Sequence, residues 1–391
     1  MSLLSGLLDF AIREPAACLI ELGEERANLG ELNGLVKSVE IITSREDAAA
    51  ATIIFEDRRR EDGLFMVADS GLFERWQPIS LSADFGMYTE EILRGYITNI
   101  KPNFPASGGE VTLELGILDE SALLERAHIR TVWGADSEMS DLAILSELLG
   151  DTAIAPNPES GEGQAARSLS QDGPALGFLR ERAVANGYEL LFTPGEVYFG
   201  PKRLEGEAQA AIMVYAGNAT NCLSFSVQDD ALKPDEITYE VAPDTDGATP
   251  EIQTLTADTP VLGGVAAAEE GAGLAIPYSA RLSREGDDPP EAVAQKAQAM
   301  ANEAAFKLRG NGELDGALYG HVLRPGMLVP VDGTGARYGG VYYTDKVSHS
   351  FTETGYRQVF ELMRNATGEE GGVLAAAGPL KAGASALAGL I

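Results

Sequence analysis

The chain has 391 residues, of which 45% are hydrophobic and 23% are charged. This is the composition of a globular protein long enough for two or three domains. Its 60 acidic and 29 basic residues give a net charge of −31, which argues against nucleic-acid binding on the outer surface, because each phosphate contact needs a cation. Cys18 and Cys222 are far apart and lack metal-ligand spacing, so we expect reduced thiols.

The two ends of the chain carry no convincing export signal or membrane span. Residues 1–15 have no Lys or Arg before their apolar stretch. Residues 371–391 are apolar but include Pro379 and Lys381, which makes them a poor match to the roughly 20 apolar residues of a spanning helix. We expect no membrane insertion. We interpret residues 366–391 as a Gly/Ala-rich C-terminal arm that docks on a partner, with a disordered tail as the alternative.

The first 118 residues have the pattern of β-strands. Alternating or short apolar runs are bounded there by turn residues, which is typical of half-buried strands. The predicted strands cover residues 34–43, 50–57, 78–85, 90–104 and 109–117.

The pattern changes between residues 119 and 206. Helical spacing alternates there with segments rich in Pro, Gly and Ser, which indicates a mixed domain. The predicted elements are helices at 119–129 and 137–150, a loop at 151–175, a helix ended by Gly187, and a β-hairpin around Pro194 and Gly195.

Strand patterns return in the last part of the chain, with one long helix among them. The Ala-rich composition of this helix suits close packing on a sheet. The predicted elements are strands at 222–230 and 236–244, a helix from Pro289 and Pro290 to Gly310, and a final set of strands that opens at 311–320.

Residues 78–117 and 326–364 have similar patterns. Each begins with an alternating strand that ends in an acidic turn, at Asp84 or Asp332. An aromatic strand, a Gly-containing turn and a last alternating strand follow in both. A chance match is one explanation. The other is that the chain carries two related antiparallel β domains, separated by the mixed domain.

No motif indicates catalysis or metal binding. His128, His321 and His349 each stand alone in their segments, so no zinc site is predicted. No GxSxG nucleophile motif is present, and the stretch VDGTGARYGG lacks the Lys-Ser/Thr pair of a phosphate-binding loop. Carboxylates are abundant, so composition leaves an acid/base pair open. We expect no enzyme activity, no cofactor and no metal.

Two further groups of residues indicate exposed or interface positions. Trp76 and Trp133 are expected in the core or as anchors of a subunit interface. Arg58, Arg59 and Arg60 are flanked by acidic residues on both sides. They predict an exposed turn or a salt-bridge cluster at an interface.

The residue order from 323 to 365, LxPGxxVxVxGxGxxxxGxYYxxxVxHxFxxxGYxxxFELxRN, resembles the C-terminal part of phage tail baseplate hub proteins. These are the late control D proteins and the hub-like portion of VgrG proteins. Residues 178–200 resemble the middle domain of the same family, where a helix precedes a short hairpin. The resemblance covers the chain in domain order and is specific in these two stretches. The motif residues that it assigns are Gly326, Val329, Gly333, Gly340, Tyr343, Val347, His349, Phe351, Gly355, Tyr356, Phe360 and Arg364.

The resemblance implies a mainly β (α+β) fold with two tail-tube-like antiparallel β-barrel domains and an inserted mixed α/β domain. The predicted domains are 1–118 as the first tube-like domain, 119–206 completed by 263–310 as the middle domain, 207–262 with 311–365 as the second tube-like domain, and 366–391 as the arm.

The resemblance also implies a structural role in a phage tail or a phage-derived contractile injection system. Three chains with two similar barrels each would form a ring that adapts a six-fold tail tube to a three-fold spike. The expected partners are two further copies, the tail tube ring and a trimeric spike protein, with baseplate wedge and tape-measure proteins as further candidates. The particle would assemble in the bacterial cytoplasm. Acidic residues facing the channel would let DNA or protein cargo slide without specific binding.

In this interpretation His349 is structural. It stands near a strand end before a polar turn and would orient the backbone at a barrel corner. Gly333, Gly335 and Gly355 would take positive φ in turns. Two other classes of function stay open. A β-rich carbohydrate-binding or adhesin module would expose aromatic side chains, and a tail-associated cell-wall hydrolase would have a cleft with converging carboxylates.

Overall fold

The structure is a computed structural model. It describes residues 16–106, 109–150, 152–165, 168–241, 251–270, 276–283 and 290–368. The predicted C-terminal arm beyond Gly368 lies outside the described residues.

The described chain divides into two compact units. The first unit contains the residues up to 202 together with 314–325 and 346–359. The second contains 203–313, 326–345 and the residues from 360 onward. Within these bounds the predicted division into two tube-like domains, a middle domain and an arm stays a prediction.

The first unit is built on an antiparallel sheet in which all five predicted strands form, within two residues at each end. The sheet order is β3, β4, β7, β6, β5, β1, β2, and the buried side chains of β4 alternate with partly exposed ones, as expected for a strand with one face on the core. The strands are β1 (Ala17–Leu22), β2 (Ala27–Asn28), β3 (Val36–Ser44), β4 (Ala50–Asp57), β5 (Pro78–Asp84), β6 (Thr89–Asn103) and β7 (Val111–Asp119).

The rest of the first unit up to residue 202 mixes short strands and helices. The predicted helix ending at Gly187 is confirmed, with Gly187 at φ 66°, and so is the hairpin around Pro194 and Gly195. The elements are β8 (His128–Trp133), α1 (Asp141–Leu148), β9 (Ala155–Pro156), β10 (Leu169–Pro174), α2 (Ala175–Asn186), β11 (Glu189–Thr193) and β12 (Glu196–Gly200).

Two predictions for this region are wrong. The predicted helix at 119–129 is a short 3₁₀-helix, Glu120–Glu125, which begins where the Asp119 carboxylate accepts a hydrogen bond from the Ser121 backbone. The chain then becomes strand β8, because its alternating residues pair antiparallel with β10. The predicted loop at 151–175 contains β9 and β10. Its Pro, Gly and Ser content does not prevent pairing at a sheet edge.

The remaining strands form two sheets and a small ribbon. The larger sheet has the order β14, β19, β22, β21, β20, β13, and β21 also pairs antiparallel with β3 through residues 346–351. The strands are β13 (Ile212–Met213), β14 (Cys222–Asp229), β15 (Glu236–Val241), β16 (Glu251–Leu255), β17 (Val265–Ala266), β18 (Ser279–Leu282), β19 (Leu308–Asp315), β20 (Leu328–Asp332), β21 (Gly340–Thr352), β22 (Gly355–Arg364) and β23 (Ala366–Thr367).

Three helices accompany these strands: α3 (Pro290–Ala304), α4 (Gly316–Tyr319) and α5 (Gly335–Tyr338). Small side chains of α3, Ala297 and Ala301, pack on Ile237 and Tyr239 of β15, as its Ala-rich sequence predicts. The prediction that this helix runs to Gly310 is wrong, because residues from Leu308 pair as β19.

The two similar stretches of sequence have the same local topology. The order β7–β6–β5 matches β22–β21–β20, each with its longest strand in the middle. The acidic turns also agree, because the Asp84 carboxylate accepts a hydrogen bond from Gly86 N and that of Asp332 from Gly333 N.

The predicted fold class is confirmed as mainly β with several sheets, but the barrels are not closed. The described strands of each sheet follow an open path with free ends. A barrel would need a last strand paired with the first. Within the same described residues, no helix is long and apolar enough to cross a membrane.

Candidate assembly edges and motif clusters

The twelve motif residues are core or turn positions rather than a surface. Gly326, Gly333, Gly340 and Gly355 all have positive φ, and each of the other eight is buried. Val347, His349, Phe351, Gly355 and Tyr356 belong to the first unit, and the other seven to the second. The motif therefore forms two clusters, one in each unit.

In the second unit the motif surrounds the buried guanidinium of Arg364. Its Nε donates a hydrogen bond to Leu262 O at 2.9 Å, Nη1 donates to Gly339 O at 2.9 Å, and Nη2 donates to Gly368 O at 2.6 Å. The guanidinium carbon lies 5.2 Å from the ring centroid of Tyr342. Backbone carbonyls and an aromatic face thus stabilise a fully buried cation.

This arrangement explains one motif glycine and a residue that the motif omits. A Cβ on Gly340 would lie 2.6 Å from Nη2 of Arg364, and the same holds for Gly263. Gly340 also has φ 128°, which favours glycine. Sequence reasoning missed Gly263, because its partner is about a hundred residues away.

The neighbour of Arg364 extends the same cluster. The Asn365 side chain accepts a hydrogen bond from Leu262 N at 2.9 Å and donates one to Pro260 O at 2.8 Å. Arg364 and Asn365 together hold residues 260–262 against the end of β22. The sequence feature that could have indicated this contact is the pair of adjacent polar residues Arg364 and Asn365.

The other motif residues of the second unit fill its core. Val329, Tyr343 and Phe360 are fully buried, and the Phe360 ring centroid lies 6.1 Å from that of Phe225. Gly333 approaches the Tyr215 backbone so closely that a Cβ would meet Tyr215 N at 2.5 Å.

In the first unit the motif surrounds His349 and Tyr356, which lie on β21 and β22. Nδ1 of His349 is 2.9 Å from the Tyr356 hydroxyl, and the Tyr356 ring stacks on Phe351 with centroids 4.1 Å apart. The prediction that His349 orients backbone at a corner is therefore wrong: it bonds a side chain inside the sheet. Nε2 of His349 is buried without a hydrogen-bond partner among the described residues.

The environment of His349 fixes its charge. Burial, with a smaller contribution from the nearby Arg324 guanidinium, lowers the pKa of His349 to about 3. Burial also raises the pKa of Tyr356 well above its usual range. Both groups are therefore neutral at physiological pH, so their contact is a neutral hydrogen bond.

A small cavity of about 40 Å³ adjoins His349 in the first unit. Asp119 and Glu120 also line it, and burial raises the pKa of both carboxyl groups. Each has a structural bond: Asp119 accepts from Ala49 N, and Glu120 accepts from Gly195 N. The cavity has space for a few water molecules, and both carboxylates accept hydrogen bonds from backbone N–H groups. These features do not indicate a catalytic cleft. Within the described residues, no His, Cys, Asp or Glu cluster could hold a metal ion.

The edge strand β14 is a candidate assembly surface in the second unit. Among the described strands its one neighbour is β19, so its other side is a free strand edge, of the kind that can pair with another chain. Ser224, Ser226, Gln228 and Asp229 are exposed along it, and so is Leu223.

A second free edge lies on β6. Residues 89–96 of β6 pair with β5, whereas residues 99–103 pair among the described strands with β7 alone. Pro102, within this stretch, has no N–H to donate to any neighbouring strand. This short edge is half polar, with Asn99 and Lys101 exposed and Ile100 partly buried.

The fold is similar to that of several solved tail proteins. It matches the 43 kDa tail protein of prophage MuSo2 from Shewanella oneidensis with a TM-score of 0.66 and 12% identity, covering 90% of this chain and 99% of that one. It matches a tail protein from Neisseria meningitidis with a TM-score of 0.63 and 12% identity, covering 90% and 97%. A Francisella PdpA–VgrG complex matches with a TM-score of 0.54 and 9% identity, covering 92% and 54%.

The chain therefore has a phage tail protein fold. Comparison with curated proteins gives no match in sequence. The family model described as the Alg8 N-terminal domain matches residues 30–353, and the chain belongs to that family.

Proposed function

We propose that this chain is a structural hub of a phage tail or a phage-derived contractile injection system. Three copies form a ring that joins a six-fold tail tube to a three-fold spike and lines the channel between them. The observation that carries the proposal is the fold shared with two tail proteins over nearly their whole length. The motif resemblance at 323–365, to late control D proteins and VgrG hubs, supports the same role.

The repeated topology supports a role in matching symmetries. A trimer whose subunits each carry two similar three-stranded units, β5–β6–β7 and β20–β21–β22, offers six similar faces to a hexameric ring. The two three-stranded units need not be identical, because both belong to the same chain and each would occur three times in the ring. This is a physical reason for keeping both stretches in one polypeptide.

The free edges supply a way to hold the ring. Strand β14 of one copy forms backbone hydrogen bonds with the short free edge of β6 in the next copy. Each copy therefore contacts its two neighbours through two different surfaces. Such head-to-tail contacts close into a ring when the rotation per copy is a third of a turn. Backbone pairing also converts open sheets into a continuous one, and thereby removes the exposed edges.

The net charge of −31 fits transport through the ring. Acidic side chains on the channel wall repel DNA and acidic cargo, so these slide without binding. The tube ring and the spike bind at the two ends, and wedge and tape-measure proteins are further candidate partners. The parts assemble in the bacterial cytoplasm before the particle is complete.

Imaging of a reconstituted complex tests this proposal. The full chain is co-expressed with tube and spike candidates from the same gene cluster, and the particles are examined by cryo-electron microscopy. We expect a ring of three copies with pseudo-six-fold density on the tube side and a spike on the other. A chain that binds neither candidate and forms no ring would contradict a hub role.

A further inference from the structure

The ring of His349 has one buried nitrogen that the described residues leave without a hydrogen-bond partner. Its Nδ1 lies 2.9 Å from the Tyr356 hydroxyl, whereas its Nε2 has no partner among the described residues. The residue is 1% exposed, so bulk solvent does not supply one. Because a buried polar nitrogen costs free energy unless it is hydrogen-bonded, the space beside His349 needs an occupant that can bond to it.

The hydrogen bond with Tyr356 determines which nitrogen of the ring carries the proton. Tyr356 is buried, and within the described part of the chain its hydroxyl has His349 as its one hydrogen-bond partner. The hydroxyl has a single proton to donate, and donation to Nδ1 satisfies both groups. With Nδ1 as the donor, the Tyr356 proton would be buried and unpaired. Nδ1 is therefore the acceptor, and the neutral ring carries its proton on Nε2.

The cavity of about 40 Å³ gives this N–H room for an acceptor. His349 is part of the cavity wall, and the other wall residues belong to the same unit. One water molecule needs about 10–15 Å³ of such volume, so two or three water molecules fit. The wall includes Thr43, Arg94 and Glu120 as well as apolar residues. A cavity with polar groups holds water, whereas a purely apolar cavity stays dry.

The charges around the cavity favour a neutral occupant. An anion would adjoin the carboxyl groups of Asp119 and Glu120. A cation would adjoin the Nε2–H of His349 and the Arg94 guanidinium. The occupant therefore accepts a hydrogen bond from Nε2–H, is small and carries no charge. Water meets all three conditions. It also donates two protons, and each carboxylate has about four lone-pair sites to accept them, of which backbone N–H groups use only a part.

We propose that this cavity is a hydration site in which an ordered water molecule accepts a hydrogen bond from Nε2–H of His349 and donates to the carboxyl groups of Asp119 and Glu120. The proposal does not depend on the proposed function. The water joins β21 to the start of the short helix Glu120–Glu125, which is distant in sequence. It also gives a reason for a histidine at this motif position. A phenylalanine would fill the same space, but it would leave both the water and the Tyr356 hydroxyl without a partner.

A crystal structure of the full chain is the direct test. We expect a density peak for water about 2.7–3.2 Å from Nε2 of His349, the normal range for an N–H···O hydrogen bond. A cavity without density, or density for a molecule larger than water, would overturn the proposal.

Nitrogen-15 NMR of the full chain tests the same site in solution. The other two histidines, His128 and His321, are exposed and serve as internal controls, and His349→Phe assigns the signals because it removes one set. We expect His349 to be protonated on Nε2 and its Nε2 proton to show cross-relaxation with a long-lived water. A proton on Nδ1 would overturn the donor assignment, and an Nε2–H without a water contact would overturn the hydration site.

Two variants identify the group that holds the water. His349→Phe removes Nε2 with little change in ring size, and we expect loss of the water peak. Tyr356→Phe is the matched control, because it removes the partner of Nδ1 and leaves Nε2 beside the cavity, so we expect the water to be retained. A water that persists in His349→Phe would overturn Nε2 as its partner. Loss of the water from both variants would show that it depends on the packing of the two rings, and would equally overturn that assignment.

Discussion

The two motif clusters treat a buried nitrogen base in opposite ways. Arg364 stays charged at zero exposure, with three carbonyl oxygens as acceptors. His349 is equally buried, has one side-chain partner and a pKa of about 3, and is therefore neutral. Burial alone therefore does not set the charge of a core residue. The Arg364 guanidinium keeps its proton because it is a far stronger base than imidazole, and the three backbone carbonyls compensate its burial.

The largest expected effect is at Arg364. Arg364→Met should lower the free energy of unfolding by about 3 kcal/mol or more, because three buried carbonyls lose their donor at about 1 kcal/mol or more each. Urea denaturation measures the loss. Arg337→Met is the matched control: Arg337 is exposed and pairs with Asp229 and Glu270 at the surface, so its loss should cost below about 1 kcal/mol. Equal losses of stability in the two variants would show that the three hydrogen bonds from Arg364 to backbone carbonyls do not stabilise the fold.

A second prediction concerns the glycine that faces this guanidinium. Gly340→Ala should cost about 2 kcal/mol or more, because the new Cβ adds a clash with Arg364 to the cost of a positive φ. Gly335→Ala is the control, since Gly335 has φ 80° and nothing within 4 Å of its Cβ position. Its cost should be about 1 kcal/mol from the backbone alone. Chemical denaturation of both variants separates the clash from the φ strain.

His349 should make the protein less stable as the pH falls. Its folded pKa of about 3 lies below the usual 6.5. Between these values the unfolded state binds the proton and the folded state does not, so stability rises with pH. The slope from this residue reaches about 1.4 kcal/mol per pH unit. His349→Phe should lack this component when urea denaturation is repeated between pH 6 and 4. An unchanged slope would mean that His349 is not the buried neutral group.

The smallest expected change separates the two tryptophans. Trp76→Gly should lower the free energy of unfolding less than Trp133→Ala does, because Trp76 is 38% exposed and relief of its positive φ offsets part of the lost contacts with Tyr96 and Arg126. Trp133→Ala should cost about 3–5 kcal/mol, as expected for a buried aromatic. Thermal unfolding of the two variants provides the comparison. An equal or larger loss at Trp76 would contradict the difference in burial between the two tryptophans.

Much of the fold could be predicted from local pattern. The strands at 50–57 and 78–85 and the end of α2 at Gly187 depend on alternation and on a glycine cap, which nearby residues determine. The motif residues could be predicted as structural from resemblance. The contacts around the Arg364 guanidinium could not be predicted, because Leu262 and Gly263 are distant in sequence and approach Arg364 only through tertiary packing. The same is true of β8 and of the open ends of the sheets, since pairing between distant segments overrides local helical spacing.

A hub role requires that three copies of the chain associate. We would measure the absolute mass of the purified full chain by light scattering, alone and after co-expression with the spike candidate. We expect three copies, either as a free trimer or as a complex with three spike chains. A chain that stays monomeric in both preparations would contradict it, and the similar topology of β5–β6–β7 and β20–β21–β22 would then have no role in symmetry matching.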